Sequence, residues 1–325
     1  MRESRNMISV VIATHNGTPT LPLMLEALKR VELPAEGVEI IAVDNASDDG
    51  TGALLARHAE ALPLTVLSEP RRGKSFALNR ALAVARGDLV IFADDDILPE
   101  PQWLEAYRET AERYAETDLF AGQVRHFWQK EPPQWLRRLA QEGRSYAGTP
   151  IDLPAGPADV SVFKGLNFMA RRRVLASVRF SERPGLNFGD SAGSAGGEDS
   201  AFVHDALTRG YRARYVPAAC VKHIVRPYQV GLAPVLRRYL RIGRAMTLSN
   251  PEQFDPRRRL FGYPRYIFKA VPRDLLRSLR HWAGGDSYAA AGDLIGVAMT
   301  CGRAQQWRRA RTGGGAAEKL SEERV

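Results

Sequence analysis

Apolar residues fall into short, nearly continuous runs in the first hundred positions: ISVVIA at 8–13, VEIIAV at 38–43 and DLVIFA at 88–93, with a weaker PLTVLS at 63–68. Runs of this length without alternation suit parallel strands buried on both faces. Between them, over 21–31, 51–61 and 75–85, apolar positions recur at helical spacing, each stretch preceded by Gly, Ser, Asp or Thr residues that can start a helix. The order βαβαβαβ predicts an α/β fold with a doubly wound, mostly parallel sheet that takes its ligands at the carboxyl ends of the strands.

Further along, 118–127 and 159–170 read as strands, separated by an excursion containing Pro132, Pro133 and Trp135 that reads as surface structure. A Gly- and Ser-rich loop at 183–197 is expected to be mobile and leads into a helix beginning near Glu198. Two short strands are predicted at 212–216 and 219–225, giving the sheet a small antiparallel part. Beyond 232, apolar and Arg positions (Leu236, Tyr239, Leu240, then Tyr266, Ile267, Leu275, Leu276, Leu279) predict amphipathic helices with basic faces. The Gly-rich, then charged residues 312–325 are expected to be disordered.

Composition changes this picture in two respects. Residues 211–325 hold 22 Lys and Arg against 8 Asp and Glu, while residues 1–210 hold 24 against 29. A basic region beside a mildly acidic one points to a polyanionic neighbour, an anionic membrane surface or nucleic acid, or else to a solvated basic face. The two cysteines, Cys220 and Cys301, match no metal or redox spacing, which favours a reduced compartment and the cytoplasm. The start of the sequence lacks the apolar core and small-residue cleavage site of an export signal. The most apolar late stretch, 288–301, is interrupted by Asp293 and falls short of the roughly 18 apolar residues a spanning helix needs.

The strongest chemical signal is FADDD at 92–96, at the end of a predicted buried strand and ahead of a helix opening near Pro101. Carboxylates gathered there repel one another unless a cation or a catalytic task holds them. Asp94 and Asp96 suit a hard divalent cation with positions left open for a substrate diphosphate; the alternative is an acidic cap for the next helix. VDNASDDGT at 43–51 places Asp44 and Asn45 at the same edge, where they can read ribose hydroxyls or simply shape a turn. Thr14, His15 and Asn16 end the first strand in the same way. SEPRRGKS at 68–75 is not a phosphate-binding P-loop, because position 68 is Ser rather than Gly, yet Arg71, Arg72 and Lys74 can meet a diphosphate from a strand end.

In GGEDSAF at 196–202, two glycines permit close approach, and Glu198 and Asp199 open a helix. Sugar transfer with inversion needs an ionised carboxylate to take the proton of an attacking hydroxyl, the role read here for Asp199 with Glu198 as its partner. His223 in VKHIV ends a short strand, and its neutral imidazole is an acceptable third ligand for Mn²⁺ beside Asp94 and Asp96.

Taken in order, ISVVIATHN, VDNASDDGT, RRGKSFALNRALAVARGDLVIFADDD, GGEDSAF and VKHIV resemble the motifs of glycosyltransferase family 2, whose members have the GT-A fold. The resemblance spans 8 to about 245. It implies that Thr14, Asn16, Asp44 and Asn45 hold a nucleotide, with Lys74, Asp94 and Asp95 completing the nucleotide-sugar site. It also implies that Asp94 and Asp96 form a metal-binding DXD motif completed by His223, and that Asp199 is the base. Asn45 replaces the second acid of a common Asp-Asp variant and leaves the donor base open. The stretch around Trp135 is similar to a Pro-Trp segment of some bacterial members; Trp135 and Gly197 are assigned to the acceptor.

The domain organisation that follows is a catalytic domain at 1–230 (nucleotide-binding half to about 120, acceptor half from 121), a basic helical extension at 231–311 and a tail at 312–325. The expected cofactor is Mn²⁺ or Mg²⁺, and the expected partners are a nucleotide-diphosphate sugar and a glycan, lipid-linked or small-molecule acceptor. An anionic membrane surface at the cytoplasmic side is a further expected partner; nucleic acid is not expected. Two other readings stay open: a nucleotidyltransferase, whose glycine-rich N-terminal signature is missing here, and a non-catalytic binding protein with a degenerate site.

Overall fold

The structure, a computed structural model, describes residues 7–182, 197–249, 259–260 and 263–312. The chain divides into two compact units, Met1–Lys130 with Leu139–Pro227, and Glu131–Arg138 with Tyr228–Val325.

In the first unit, β1 (Ile8–Thr14), β2 (Val38–Asp44), β3 (Leu64–Ser68) and β4 (Leu89–Asp94) pair in parallel in the order β3-β2-β1-β4. Their apolar runs are continuous because both faces are covered. Ile8, Val10 and Ile12 of β1 enter one core cluster, whereas Val11 enters another on the opposite face. The first cluster is closed by α1 (Leu21–Leu28), α2 (Thr51–His58) and α4 (Trp103–Arg113), the second by α3 (Lys74–Leu82), α6 (Arg172–Leu175) and α7 (Glu198–Thr208). Trp103 and Tyr107, one helical turn apart on α4, are fully buried, and each such side chain contributes roughly 2–3 kcal/mol of transfer free energy. Phe92 stacks on Phe168 at 4.6 Å and Phe180 on Phe202 at 4.5 Å beneath the other face.

The sheet continues with β5 (Ile97–Pro99), β6 (Leu119–Trp128), β8 (Asn167–Arg171) and β9 (Ala213–Val225) in the order β4-β8-β6-β9-β5, and β7 (Gly156–Pro157) joins β9. Here β8 runs antiparallel to β4 and β6, and β5 antiparallel to β9, which supplies the expected antiparallel part. Three expectations need correcting. The strand expected at 159–170 is confined to β8. Its first half is a turn, because Asp159 Oδ1 accepts from Ser161 N at 2.8 Å and Oγ at 2.5 Å, which diverts the main chain from the ladder. The two strands expected at 212–216 and 219–225 are one, interrupted where the β6 pairing slips at Gly122/Gln123 and jumps from Val216 to Cys220. That bulge accommodates Pro217, which has no N–H to give. The Pro-Trp excursion is not merely surface structure, since it contains α5 (Gln134–Gln141), whose Leu136 and Leu139 are fully buried.

Asn167 secures the bulge. Its Nδ2 donates to Gln123 O and Ala219 O, both at 2.9 Å, while its Oδ1 accepts from Trp103 Nε1 at 2.8 Å and Tyr107 OH at 2.9 Å. All four hydrogen-bonding capacities of this fully buried amide are used.

The second unit contains α8 (Leu232–Ser249), α9 (Ile267–Ala283) and α10 (Ser287–Thr312), with two-residue strands β10 (Arg259–Leu260) and β11 (Tyr263–Pro264). A Cβ at Gly243 would stand 2.2 Å from Met299 O, and one at Gly302 would stand 2.1 Å from Leu240 O, so glycine lets α8 and α10 cross main chain against main chain. Ser278 of α9 donates to Ala290 O at 3.0 Å, and Asp293 of α10 accepts from Arg277 Nε at 2.5 Å and His281 Nδ1 at 2.9 Å. No helix among the described residues is long and apolar enough to cross a membrane. Residues 183–196 of the Gly- and Ser-rich loop and 313–325 of the tail lie outside the described residues.

Candidate active site

Four parallel strands stop within a residue of one another. Thr14 is in register with Asp44, Asp44 with Ser68, and Ala13 with Asp94, so the polar residues that follow share one edge of the sheet. Thr14 Oγ1 donates to Asp95 Oδ2 in a short bond. Asn16 adopts φ +53, its N–H donates to Ser47 Oγ and its Oδ1 accepts from Asp48 N, both at 3.0 Å, locking the β1 and β2 loops together. Asp44 Oδ1 accepts from Ser47 N at 3.2 Å.

Asn45 is 4% exposed and its amide is committed to the loop after β3. Nδ2 donates to Glu69 O at 3.0 Å and Arg71 O at 2.7 Å, and Oδ1 accepts from Gly73 N at 2.7 Å. This staple sets the start of α3. There Lys74, in the first turn, sends its ammonium 2.5 Å from Asp94 Oδ1 and 3.7 Å from Glu198 Oε1. Burial alone would lower the Lys74 pKa, but the opposing charges of Asp94, Glu198 and Asp199 raise it, so the residue stays cationic.

The three strand-end aspartates titrate apart. Asp94 is raised by burial, against the pull of Lys74 and with the push of Asp96. Asp95 is pushed up to about 7 by burial and then by the Asp96 charge, with Thr14 opposing. For Asp96, burial acts upward but is overcome by His223, Arg226 and Lys74, leaving the carboxyl below its ordinary value. Glu198 is pushed up to about 7 by burial, and Asp199 adds to the rise while Lys74 resists it.

Asp199, in the first turn of α7, is held by two main-chain donors: Gly165 N to Oδ2 at 2.8 Å and Ser200 N to Oδ1 at 2.8 Å. A Cβ at Gly165 would sit 2.5 Å from that Oδ2, so only glycine allows the approach. The Asp199 charge is felt at both Lys74 and Asp94. Residues from four segments therefore meet: the β4 end, the first turns of α3 and α7, and β9 through His223.

His223 Nδ1 lies 2.7 Å from Tyr146 O, which can only accept, so Nδ1 carries a proton; Nε2 then meets Asp96 as a donor when the ring is charged and presents a lone pair when it is neutral. That Nε2 faces Asp96 Oδ2 at 3.2 Å, and Asp96 Oδ1 is buried with no hydrogen-bond partner among the described residues. A lone pair and a carboxylate at this separation repel unless a proton or cation lies between them, and carboxylate oxygen with imidazole nitrogen suits Mn²⁺. The pair fits an open cation site. Among the described residues no three or more His, Cys, Asp or Glu side chains gather as a complete cage. Asp94 is already engaged by Lys74.

Gly197 caps α7 with φ +108 and donates its N–H to Glu198 Oε2 at 3.1 Å. Trp135 lies on α5, partly buried, in the segment belonging to the second unit. Gly165, Asn167, Arg226 and the Tyr146 carbonyl were not picked out in the sequence. Gly165 and Tyr146 act through main-chain atoms, which leave no residue-type signal.

The model for glycosyl transferase family 2 matches residues 9–179, more than half of the chain. The chain belongs to glycosyl transferase family 2. Relatives of this family 2 chain include the uncharacterized glycosyltransferase YfnE of Bacillus subtilis, 32% identical over 143 residues (41% of this chain, 36% of the relative), and glycosyltransferase AglE of Haloferax volcanii, 29% identical over 126 residues (38% and 41%). The matched stretches thus span well under half of these relatives. Two solved structures share the GT-A fold. The mannosyltransferase PcManGT of Pyrobaculum calidifontis, in complex with GDP-Man and Mn²⁺, has a TM-score of 0.53 at 23% identity, covering 98% of this chain and 79% of that one. S. aureus TarS 1-349, in complex with UDP, has a TM-score of 0.53 at 18% identity, covering 94% and 92%.

Proposed function

We propose that this family 2 chain transfers a sugar from a nucleotide-diphosphate donor to an acceptor hydroxyl with inversion, Asp199 acting as general base. The observation that carries the reading is the Asp199 carboxylate, fixed by Gly165 N and Ser200 N and within electrostatic reach of Lys74 and Asp94. A carboxylate so held is oriented without losing its remaining lone pairs, one of which can take the hydroxyl proton as the oxygen attacks the sugar.

Asp96 and His223 are the residues that would hold a divalent cation, and when bound it supplies positive charge to the departing diphosphate. Lys74 adds a permanent cation beside Asp94, toward the donor phosphates. Thr14, Asn16 and Asp44 line the nucleotide side. Asn45 serves the same site indirectly, by holding the 69–73 loop from which Lys74 projects. Asp95, hydrogen-bonded to Thr14, fixes the turn that presents Asp94 and Asp96. Glu198, pushed up to about 7, can hydrogen-bond a sugar hydroxyl, and Gly197 is assigned to the acceptor side. The reading agrees with the complexes of two structural neighbours, one with UDP and one with GDP-Man and Mn²⁺.

The test is a panel of nucleotide sugars with Mn²⁺ or Mg²⁺, scored by thermal shift and donor hydrolysis, followed by Asp199→Asn on the donor that responds. Transfer is expected to fall by roughly 10²–10⁴-fold while donor affinity stays within a few-fold. Near-normal turnover of the variant would refute the assignment of the base, and reversible pyrophosphate exchange would favour nucleotidyl transfer.

A further inference from the structure

Helix α9 is divided lengthwise into three sectors. One, formed by Ile267, Ala270, Val271, Asp274, Ser278 and His281, is buried or half-buried, and α10 meets it through Ser278, Arg277 and His281. The second carries Leu275, Leu276, Leu279 and Trp282, which are 40%, 56%, 62% and 73% exposed. At 3.6 residues per turn these side chains, with Phe268 at 43% exposure, fall within a stripe roughly 120° wide. The third, beside that stripe, holds Lys269, Arg273 and Arg280, all exposed.

Large apolar side chains at such exposure along one helix are unusual on a protein surface and mark a docking face. The charge beside the stripe decides what docks. Two copies meeting antiparallel through this face about a two-fold axis would bring Lys269, Arg273 and Arg280 of each against like charges of the other, which opposes that self-association. An anionic lipid surface satisfies both sectors at once, because acyl chains accept the leucines and tryptophan while headgroup phosphates accept the lysine and arginines. No described helix meets the requirement for spanning, so the helix would lie along the interface.

We propose that α9 is an in-plane membrane anchor that docks this protein on anionic lipid through Leu275, Leu276, Leu279 and Trp282, with Lys269, Arg273 and Arg280 contacting headgroups. The inference stands independently of the sugar-transfer reading. It uses a helix and a chemistry that the catalytic carboxylates do not share.

The test is co-sedimentation of the full chain with vesicles of phosphatidylcholine alone and of phosphatidylcholine mixed with phosphatidylglycerol, at low and high salt. Binding to the mixed vesicles, weakened by salt and accompanied by a blue shift in tryptophan emission that is lost in Trp282→Phe, is the expected result. The double variant Leu276→Ser/Leu279→Ser is expected to lose roughly tenfold or more in vesicle affinity with its circular dichroism unchanged. Lys269→Glu/Arg280→Glu, which leaves the apolar stripe intact, is expected to remove the preference for anionic lipid. Absence of vesicle binding, equal binding by all variants, or equal binding to neutral vesicles would overturn the proposal. So would a lipid-free change of sedimentation coefficient in the leucine variant, which would assign the face to a second copy of the chain.

Discussion

The Lys74 ammonium stands 2.5 Å from Asp94 Oδ1. This contact ties the first turn of α3 to the end of β4 and places a permanent cation among acids that would otherwise repel. Lys74→Met leaves Asp94 and Glu198 without their compensating charge, and donor turnover is expected to fall roughly a hundredfold. Steady-state kinetics with the responding nucleotide sugar check this, and a loss under threefold would count against a role for the ammonium.

The facing donors of Asp96 and His223 predict a ligand-dependent stability. In the presence of a nucleoside diphosphate, Mn²⁺ at about a hundredfold excess over its own Kd is expected to add roughly 2.7 kcal/mol, a rise in Tm of about 4 °C. Asp96→Ala should abolish the Mn²⁺-dependent part of that rise. An equal rise in the variant would remove Asp96 from the cation site.

The raised carboxyls of this cluster, Asp94, Asp95 and Glu198, set a pH dependence that can be measured without any ligand. Asp95 and Glu198, pushed up to about 7 from ordinary values of 3.8 and 4.5, keep protons in the folded chain that the unfolded chain has released. Where the native state binds more protons, stability falls as pH rises, so the urea midpoint in EDTA is expected to decline between about pH 5 and 7. Glu198→Gln removes one of these contributions and should reduce that slope. A slope unchanged by the substitution would remove Glu198 as its source.

Asn167 predicts the largest effect on folding. Replacing it by Leu keeps the volume but leaves Gln123 O, Ala219 O, Trp103 Nε1 and Tyr107 OH without their buried partner. The expected cost is about 3 kcal/mol or more, read from chemical denaturation.

How much of this was legible in the sequence depends on the range of the interaction concerned. β1, β2 and β4 were readable because burial on both faces forces a local composition, and FADDD stood out because three adjacent acids after such a strand repel one another. Asn45 stood out in the sequence, but its bonds to the 69–73 loop did not. A side chain that binds main-chain atoms at positions 69, 71 and 73 gives the same local signal as one that binds a ribose. Asn167 gave no signal, since its partners sit 44 to 64 residues away. The strand expected at 159–170 failed in its first half for a complementary reason: Asp159 offered the chain a turn that hydrophobic pattern alone does not weigh.

Asp96 and His223 are joined by more than their side chains. Ile97 pairs with His223 across β5 and β9, and Ile224 N donates to Asp96 O at 2.8 Å. The distance between two candidate ligands is thereby fixed by a three-residue ribbon rather than by side-chain rotamers, and capturing an ion would require no loop to be ordered first. The same economy makes the ribbon intolerant of length changes: one residue added or removed within Ile97–Pro99 would turn alternate side chains to the wrong face and separate acid from imidazole while the rest of the sheet stayed paired.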